Sequence, residues 1–157
     1  MKKIKQPTDV RREQIVEAAM TVIATRGTRG ATTKAIAREV GISEGALYRH
    51  FESRDEILSR VVDHIGAGLS QNLRRLKAGA GDPLDQLEAL FIGHAAFVEE
   101  HRGIPRLAFS DDIHQHRPDL RTRMAIHIEG YLARIRELIE AGKRAGSIRN
   151  CPGRAWK

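Results

Sequence analysis

The sequence predicts an all-α protein, and three observations carry that expectation. Apolar residues recur at the i, i+3, i+4, i+7 spacing of half-buried helices. Aromatic residues make up only 4% of the chain, too few for the core of a β-sandwich or barrel. Cap residues stand ahead of the apolar stripes and glycines behind them. With 157 residues there is chain enough for a small domain joined to a modest second one, and no disulfide or metal is needed to build a core.

The elements follow in order. Thr8 or Asp9 caps a first helix whose stripe is Ile15, Ala18, Ala19, Val22 and Ile23, and Gly27 and Gly30 end it, so it spans roughly residues 9–26. Thr32 and Thr33 open a short second helix with Ala35, Ile36, Ala37 and Val40 on its buried face, stopped by Gly41. Ser43 caps a third segment, Glu44 to Phe51. Ser53 caps a long helix that begins with Asp55 and Glu56, where the helix dipole favours acids, and extends to about Leu76. Ala78 to Pro83 is the clearest break, with Asp82 as cap and Pro83 in the first turn of the next helix. That helix carries Leu84, Leu87, Leu90, Phe91, His94, Phe97 and Val98. Gly103 and Pro105 punctuate a short helix around Leu107 and Phe109. Pro118 opens the last long one, which ends near Gly146. This divides the chain into residues 1–52 and an all-helical remainder, 53–157, linked by the helix from Ser53.

Charge and cysteine content bound the function. Lys and Arg number 27 against 20 Asp and Glu, a formal charge of +7 that suits a polyanion partner or simply a basic soluble protein. Cys151 is the lone cysteine, so no intramolecular disulfide forms and a reducing cytoplasm is expected. The N-terminus lacks the apolar stretch of a signal peptide, and no window approaches the ~20 apolar residues of a membrane span. A cytoplasmic protein is expected.

The informative stretch is Thr32 to Phe51, TTKAIAREVGISEGALYRHF. Two short helices separated by Gly-Ile-Ser make a helix-turn-helix. Ile36, Ala37, Val40, Ile42 and Leu47 pin the crossing, and small Ala37 permits close approach. The major groove of double-stranded DNA is wide enough to admit the second helix.

From Ile15 to Leu58 the sequence closely resembles the TetR/AcrR family of transcriptional regulators. The resemblance rests on Thr-x-x-x-Ile-Ala from Thr32, on Gly-Ile-Ser-x-Gly-x-Leu-Tyr-x-His-Phe from Gly41, and on the Ser-Arg-Asp spacing that leads to Leu58. It covers about the first third of the chain. It implies an N-terminal three-helix helix-turn-helix DNA-binding domain followed by a helical ligand-binding and dimerisation domain. Thr33 and Lys34 would contact phosphates, and Ser43, Gly45 and Ala46 would begin the recognition helix. Many relatives carry Thr or Ser at Ala46, so a hydroxyl contact is missing here. Tyr48 would reach a phosphate and Arg49 would read a base edge. His50 and Arg54 would add backbone contacts. Each has a blander alternative: Tyr48 and His50 as packing, Arg49 as a solvated residue. Lys2, Lys3 and Lys5 read either as an arm reaching DNA or as a basic tail.

Beyond residue 60 the resemblance is architectural. Phe91, His94, Phe97, Leu107, Met124 and Tyr131 either line a cavity for a small-molecule effector or are plain core. His94 and His101, with His114, His116, Asp111 and Asp112, match no closed metal motif, so no metal and no cofactor is expected. No phosphate loop, nucleophile elbow or HExxH motif suggests an enzyme. Family members dimerise through two final helices, whereas only Ser147 to Lys157 follow the last long helix here. The regulatory domain is therefore read as shorter than usual at its C-terminus, with those helices missing and a homodimer built on the last long helix. The function these readings imply is a DNA-binding regulator, a repressor released from operator DNA by a small-molecule inducer. The alternatives are a helical protein-interaction module and a non-specific nucleic-acid binder that keeps the reader fold.

Overall fold

The computed structural model describes residues 8–76 and 81–149. Lys2, Lys3 and Lys5, the Ala78-Gly79-Ala80 break, and Cys151 and Trp156 lie outside the described residues. The described chain is all-α: eight helices and no strand. They are α1 (Thr8–Gly30), α2 (Thr33–Val40), α3 (Glu44–Leu47), α4 (Arg54–Arg75), α5 (Pro83–Glu100), α6 (Gly103–Ala108), α7 (Asp111–His116) and α8 (Pro118–Ala145).

Local signals explain most boundaries. The Thr32 hydroxyl accepts from the Ala35 amide, Ser43 from Ala46, Ser53 from Glu56, Asp82 from Leu84 and Ser110 from Ile113, each satisfying an amide that has no partner within its helix. Gly41 ends α2 in the left-handed conformation (φ 75°) and lets the Ile42 amide bond back to Ala37 O at 2.9 Å. Three boundaries differ from the sequence reading. α1 continues past residue 26 to Gly30, across a kink where Gly27 adopts φ 73°. The segment expected as one short helix around Leu107 is two, because Ser110 caps a fresh turn. The third segment is regular helix over only Glu44–Leu47, after which residues 48–50 tighten into a turn.

α1 and α4 form the spine. The inner face of α1 (Ile15, Ala19, Ile23) packs against α2, α4 and α6, and α4 continues away with Ile57, Leu58, Val61, Val62 and Ile65 buried. α5 and α8 cover the distal half of α4, joined by buried Leu87, Leu90, Leu120 and Tyr131. Small residues set the tightest crossings. At the start of α6 Gly103 lies so close to α1 that a Cβ there would stand 2.3 Å from the Met20 carbonyl oxygen. No described helix is long and apolar enough to cross a membrane.

That crossing yields a stability prediction. Because the obstacle is backbone and cannot rotate away, Gly103→Ala should destabilise the fold by about 1–3 kcal/mol, the usual cost of overpacking. The measurement is urea unfolding followed by circular dichroism. An unchanged midpoint would mean that α6 slides freely over α1.

Candidate nucleic-acid interface and helical cavity

The helix-turn-helix is built on its buried residues. Ile36 and Ala37 from α2, Leu47 from α3 and Phe51 beyond it are buried against α1 and α4, with Val40 and Ile42 packed at the edge. The turn after Leu47 is closed by the His50 and Phe51 amides, which both donate to Leu47 O, at 2.9 and 3.1 Å. Its exit is fixed from outside by Arg12 of α1. That guanidinium donates to His50 O, lies 4.2 Å from the centre of the Phe51 ring and pairs with Glu56 of α4 at 2.7 Å. Hydrogen bonds from Arg12 and the Glu52 amide hold the Glu56 carboxyl below its ordinary pKa, so the clasp stays ionised at neutral pH.

Burying Leu47 and Phe51 turns the intervening polar side chains outward. Tyr48 is 49% exposed and Arg49 is exposed, and Arg49 makes no hydrogen bond or ion pair among the described residues. Lys34, at the start of α2, is likewise exposed and unpaired among them. The Tyr48 hydroxyl donates to Thr33 Oγ1 at 3.4 Å, and Thr33 donates to Glu44 at 2.5 Å, so a three-residue relay ties α2 to α3 across this surface. Ser43 uses its hydroxyl on its own helix. Gly45 borders open space on the same side, and half-buried Ala46 offers no polar group.

Two predicted contact residues have other engagements. The His50 ring Nδ1 is buried without a partner, and burial, then the charges of Arg11, Arg49 and Arg12, lower its pKa below 6.5, leaving the ring neutral at pH 7. Arg54 is turned inward: it donates to Ala31 O at 2.9 Å, to Thr28 O at 2.7 Å and to Asp112 of α7 at 3.2 Å. It clasps the α1–α2 turn to the distal half of the protein. The roles of Arg12, Glu56 and Asp112 escaped the sequence reading, since each depends on a partner far along the chain. Only the Ser53-x-x-Glu56 pattern hinted that Glu56 is held at a helix start.

In the distal half a cavity of about 440 Å³ opens between α4, α5, α6 and α8. Phe91, His94, Phe97, Met124 and Tyr131 line it. Leu107 does not, because its position on six-residue α6 turns it into the core, where it is fully buried. Ile104, Pro105, Ala108 and Phe109, with Ile65 and Leu69 of α4, take part instead. His94 stands with its ring centre 5.5 Å from that of Tyr131. The Tyr131 hydroxyl accepts from buried Asn72 at 2.9 Å, and burial, opposed by that bond, raises the phenol's pKa.

A larger hollow of about 580 Å³ between α1, α4 and α8 has a different character. Arg60 lies within ion-pair distance of both Glu13 and Asp63, and His64 within that distance of Glu13, so the hollow is lined by solvated polar groups. The histidines weighed as ligands are separated: His94 faces Tyr131, His101 packs on Phe97 and His64, and His114 is bonded to Ala108 O.

Residues 15–61 match the family described as bacterial regulatory proteins, tetR family. The nucleoid occlusion factor SlmA of Vibrio campbellii is 28% identical over 134 residues, 85% of this chain and 68% of that protein. SlmA of Shewanella sediminis is 30% identical over 128 residues, covering 80% of this chain and 65% of that one. Among solved structures, the fatty acid degradation regulator FadR of Bacillus halodurans is 26% identical with a TM-score of 0.67, over 92% of this chain and 72% of its own. The TetR-family regulator PfmR of Thermus thermophilus shares the fold, with a TM-score of 0.76 at 22% identity over 94% of this chain and 77% of its own.

The His50 environment predicts a pH effect of known sign. Its pKa is lower folded than unfolded, so the unfolded chain takes up a proton more readily, and stability is lost as pH falls through about 6.5. Urea midpoints measured from about pH 7.5 to 5.5 should therefore fall more steeply for the native protein than for His50→Gln. Parallel curves would remove His50 as a source of acid sensitivity.

Proposed function

Because this chain belongs to the TetR family, whose DNA-binding domain it carries at residues 15–61 and whose fold it shares, we propose that it is a cytoplasmic regulator, binding operator DNA through residues 1–52 and releasing it when a small molecule enters the domain from residue 53 onward. The observation that supports this best is the surface made by Lys34, Tyr48 and Arg49. Their neighbours Leu47 and Phe51 are buried, Arg12 clasps the exit, and the cation of Arg49 has no partner within the described protein. In this reading Arg49 pairs with a guanine edge. Lys34 and the Tyr48 hydroxyl serve as phosphate contacts, with Thr33, Ser43, Gly45 and Ala46 giving close backbone approach.

Operator half-sites lie one helical turn, about 34–36 Å, apart and need two readers, so the active species is a homodimer. The exposed Ile126 of α8 supports that helix as the contact. A cavity ligand acts by favouring a conformation in which the two readers no longer match the half-sites, and operator DNA weakens ligand binding by the same factor. α6 is placed for this role, since Ile104 and Pro105 line the cavity while Gly103 abuts α1.

A second reading comes from the curated relatives, which are named nucleoid occlusion factors. In it the chain binds sites spread over the nucleoid rather than one promoter. Chromatin immunoprecipitation separates the two: one or a few promoter-proximal palindromes favour the regulator, and many dispersed sites favour the other.

The division of labour is tested by two variants on a panel of operator sequences. Arg49→Ala should relax preference at one base position per half-site, at about 1–3 kcal/mol of discrimination. Lys34→Ala should weaken all sequences alike and reduce the salt slope by about 1. Identical effects of both changes on every operator would overturn the assignment.

A further inference from the structure

The lining of the distal cavity narrows what could occupy it. None of its described lining residues is an Asp, Glu, Lys or Arg. A carboxylate or ammonium group placed there would lose its water with no countercharge to replace it, which disfavours charged ligands. Its volume of about 440 Å³ falls within the range of small-molecule sites.

Against this apolar lining stand two polar side chains. The His94 Nδ1 atom is buried and has no hydrogen-bond partner among the described residues. The Tyr131 hydroxyl is already used as an acceptor by Asn72, whose other bond goes to Leu90 O. That leaves the phenolic hydrogen without an acceptor among the described residues, and burial keeps it on the oxygen. Both residues line the cavity, with their ring centres 5.5 Å apart. A buried donor and a buried ring nitrogen left unmade are costly, and a single oxygen satisfies both.

We infer that the cavity takes an uncharged, mainly apolar small molecule whose one hydroxyl or carbonyl oxygen is hydrogen-bonded between Tyr131 and His94. This rests on the proposed reading of the cavity as the effector site and adds the chemical class of the effector. The rest of the ligand is held by Phe97, Met124 and Ile104 and reaches out past Phe91 and Phe109, which are 56% and 83% exposed at the mouth.

The test uses the full chain and N-phenyl-1-naphthylamine, an uncharged dye that brightens in apolar surroundings, displaced by 1-decanol, n-decane or decanoate. 1-Decanol should displace the dye, and decanoate at pH 8 should compete more weakly. Tyr131→Phe and His94→Leu should each weaken 1-decanol by about three- to tenfold, the worth of one hydrogen bond, while leaving n-decane unchanged. Unchanged n-decane affinity also shows that each variant keeps the cavity intact. Equal losses for both ligands, no loss for either, decanoate outcompeting 1-decanol, or no dye binding would each overturn the inference. Operator binding without ligand is measured alongside. If it is absent, the regulator reading fails while displacement still reports on the cavity. Displacement without operator release refutes induction alone.

Discussion

A helix of four residues cannot hold its own shape. Nucleating a helical turn costs more than its single hydrogen bond returns, and short helices persist only where tertiary contacts fix them. α3 is such a helix, and Tyr48 and Arg49 are carried just past its end. Everything that makes this surface definite is therefore supplied from elsewhere. Ser43 fixes the entrance, Leu47 and Phe51 anchor the inner side, and Arg12 grips the exit by carbonyl, ring and carboxylate together. A surface that must fit a partner to within about half an ångström needs this kind of support. The side chains at its outer edge remain free because those at its inner edge are not.

The same logic explains why α1 is longer than a three-helix reader needs. Its N-terminal half carries Arg12 to the recognition segment, and its middle offers the Met20 carbonyl to α6. α4 runs from the Ser53 cap, beside the reader, to Ile65 and Leu69 at the cavity wall. The two parts of the chain are thus joined along packed helices.

How much of this was legible in the sequence depended on the range of the interaction. Caps act over two or three residues, so Thr32, Ser43, Ser53 and Asp82 announced their helices, and apolar periodicity identified the fold class and the faces of α1, α4, α5 and α8. Periodicity placed Phe91, His94, Phe97, Met124 and Tyr131 on the inward stripes of α5 and α8 but left open whether they line a cavity or fill the core. Leu107 could not be placed in this way, because a six-residue helix is too short for its periodicity to say which way it turns. The premature end of α3 was hidden for a related reason: beyond Leu47 the chain is held by long-range contacts, the burial of Phe51 and the bond from Arg12 to His50 O, that no local pattern encodes. Arg54 is the clearest case. Its sequence neighbours favour a solvent-facing charge at a helix start, but its partners lie 23, 26 and 58 residues away. No local pattern encodes them.

Magnitudes decide which link between the halves carries weight. The Arg54–Asp112 pair spans them at 3.2 Å, but its side chains keep 28% and 18% of their exposure. Partly solvated pairs contribute about 0–1 kcal/mol and are weakened further by salt. Arg54's bonds to the Thr28 and Ala31 carbonyls hold the α1–α2 turn but stay within the reader and the start of α4. The contact of Gly103 with the α1 backbone is of another kind, because close-packed backbone resists displacement steeply and has no solvent to soften it. A ligand can shift an equilibrium only by its difference in affinity for the two states, and α4 and α6 are the helices that both line the cavity and pack on α1. On the proposed reading, coupling between the two halves travels through packing at α4 and α6 rather than through the partly solvated Arg54–Asp112 pair.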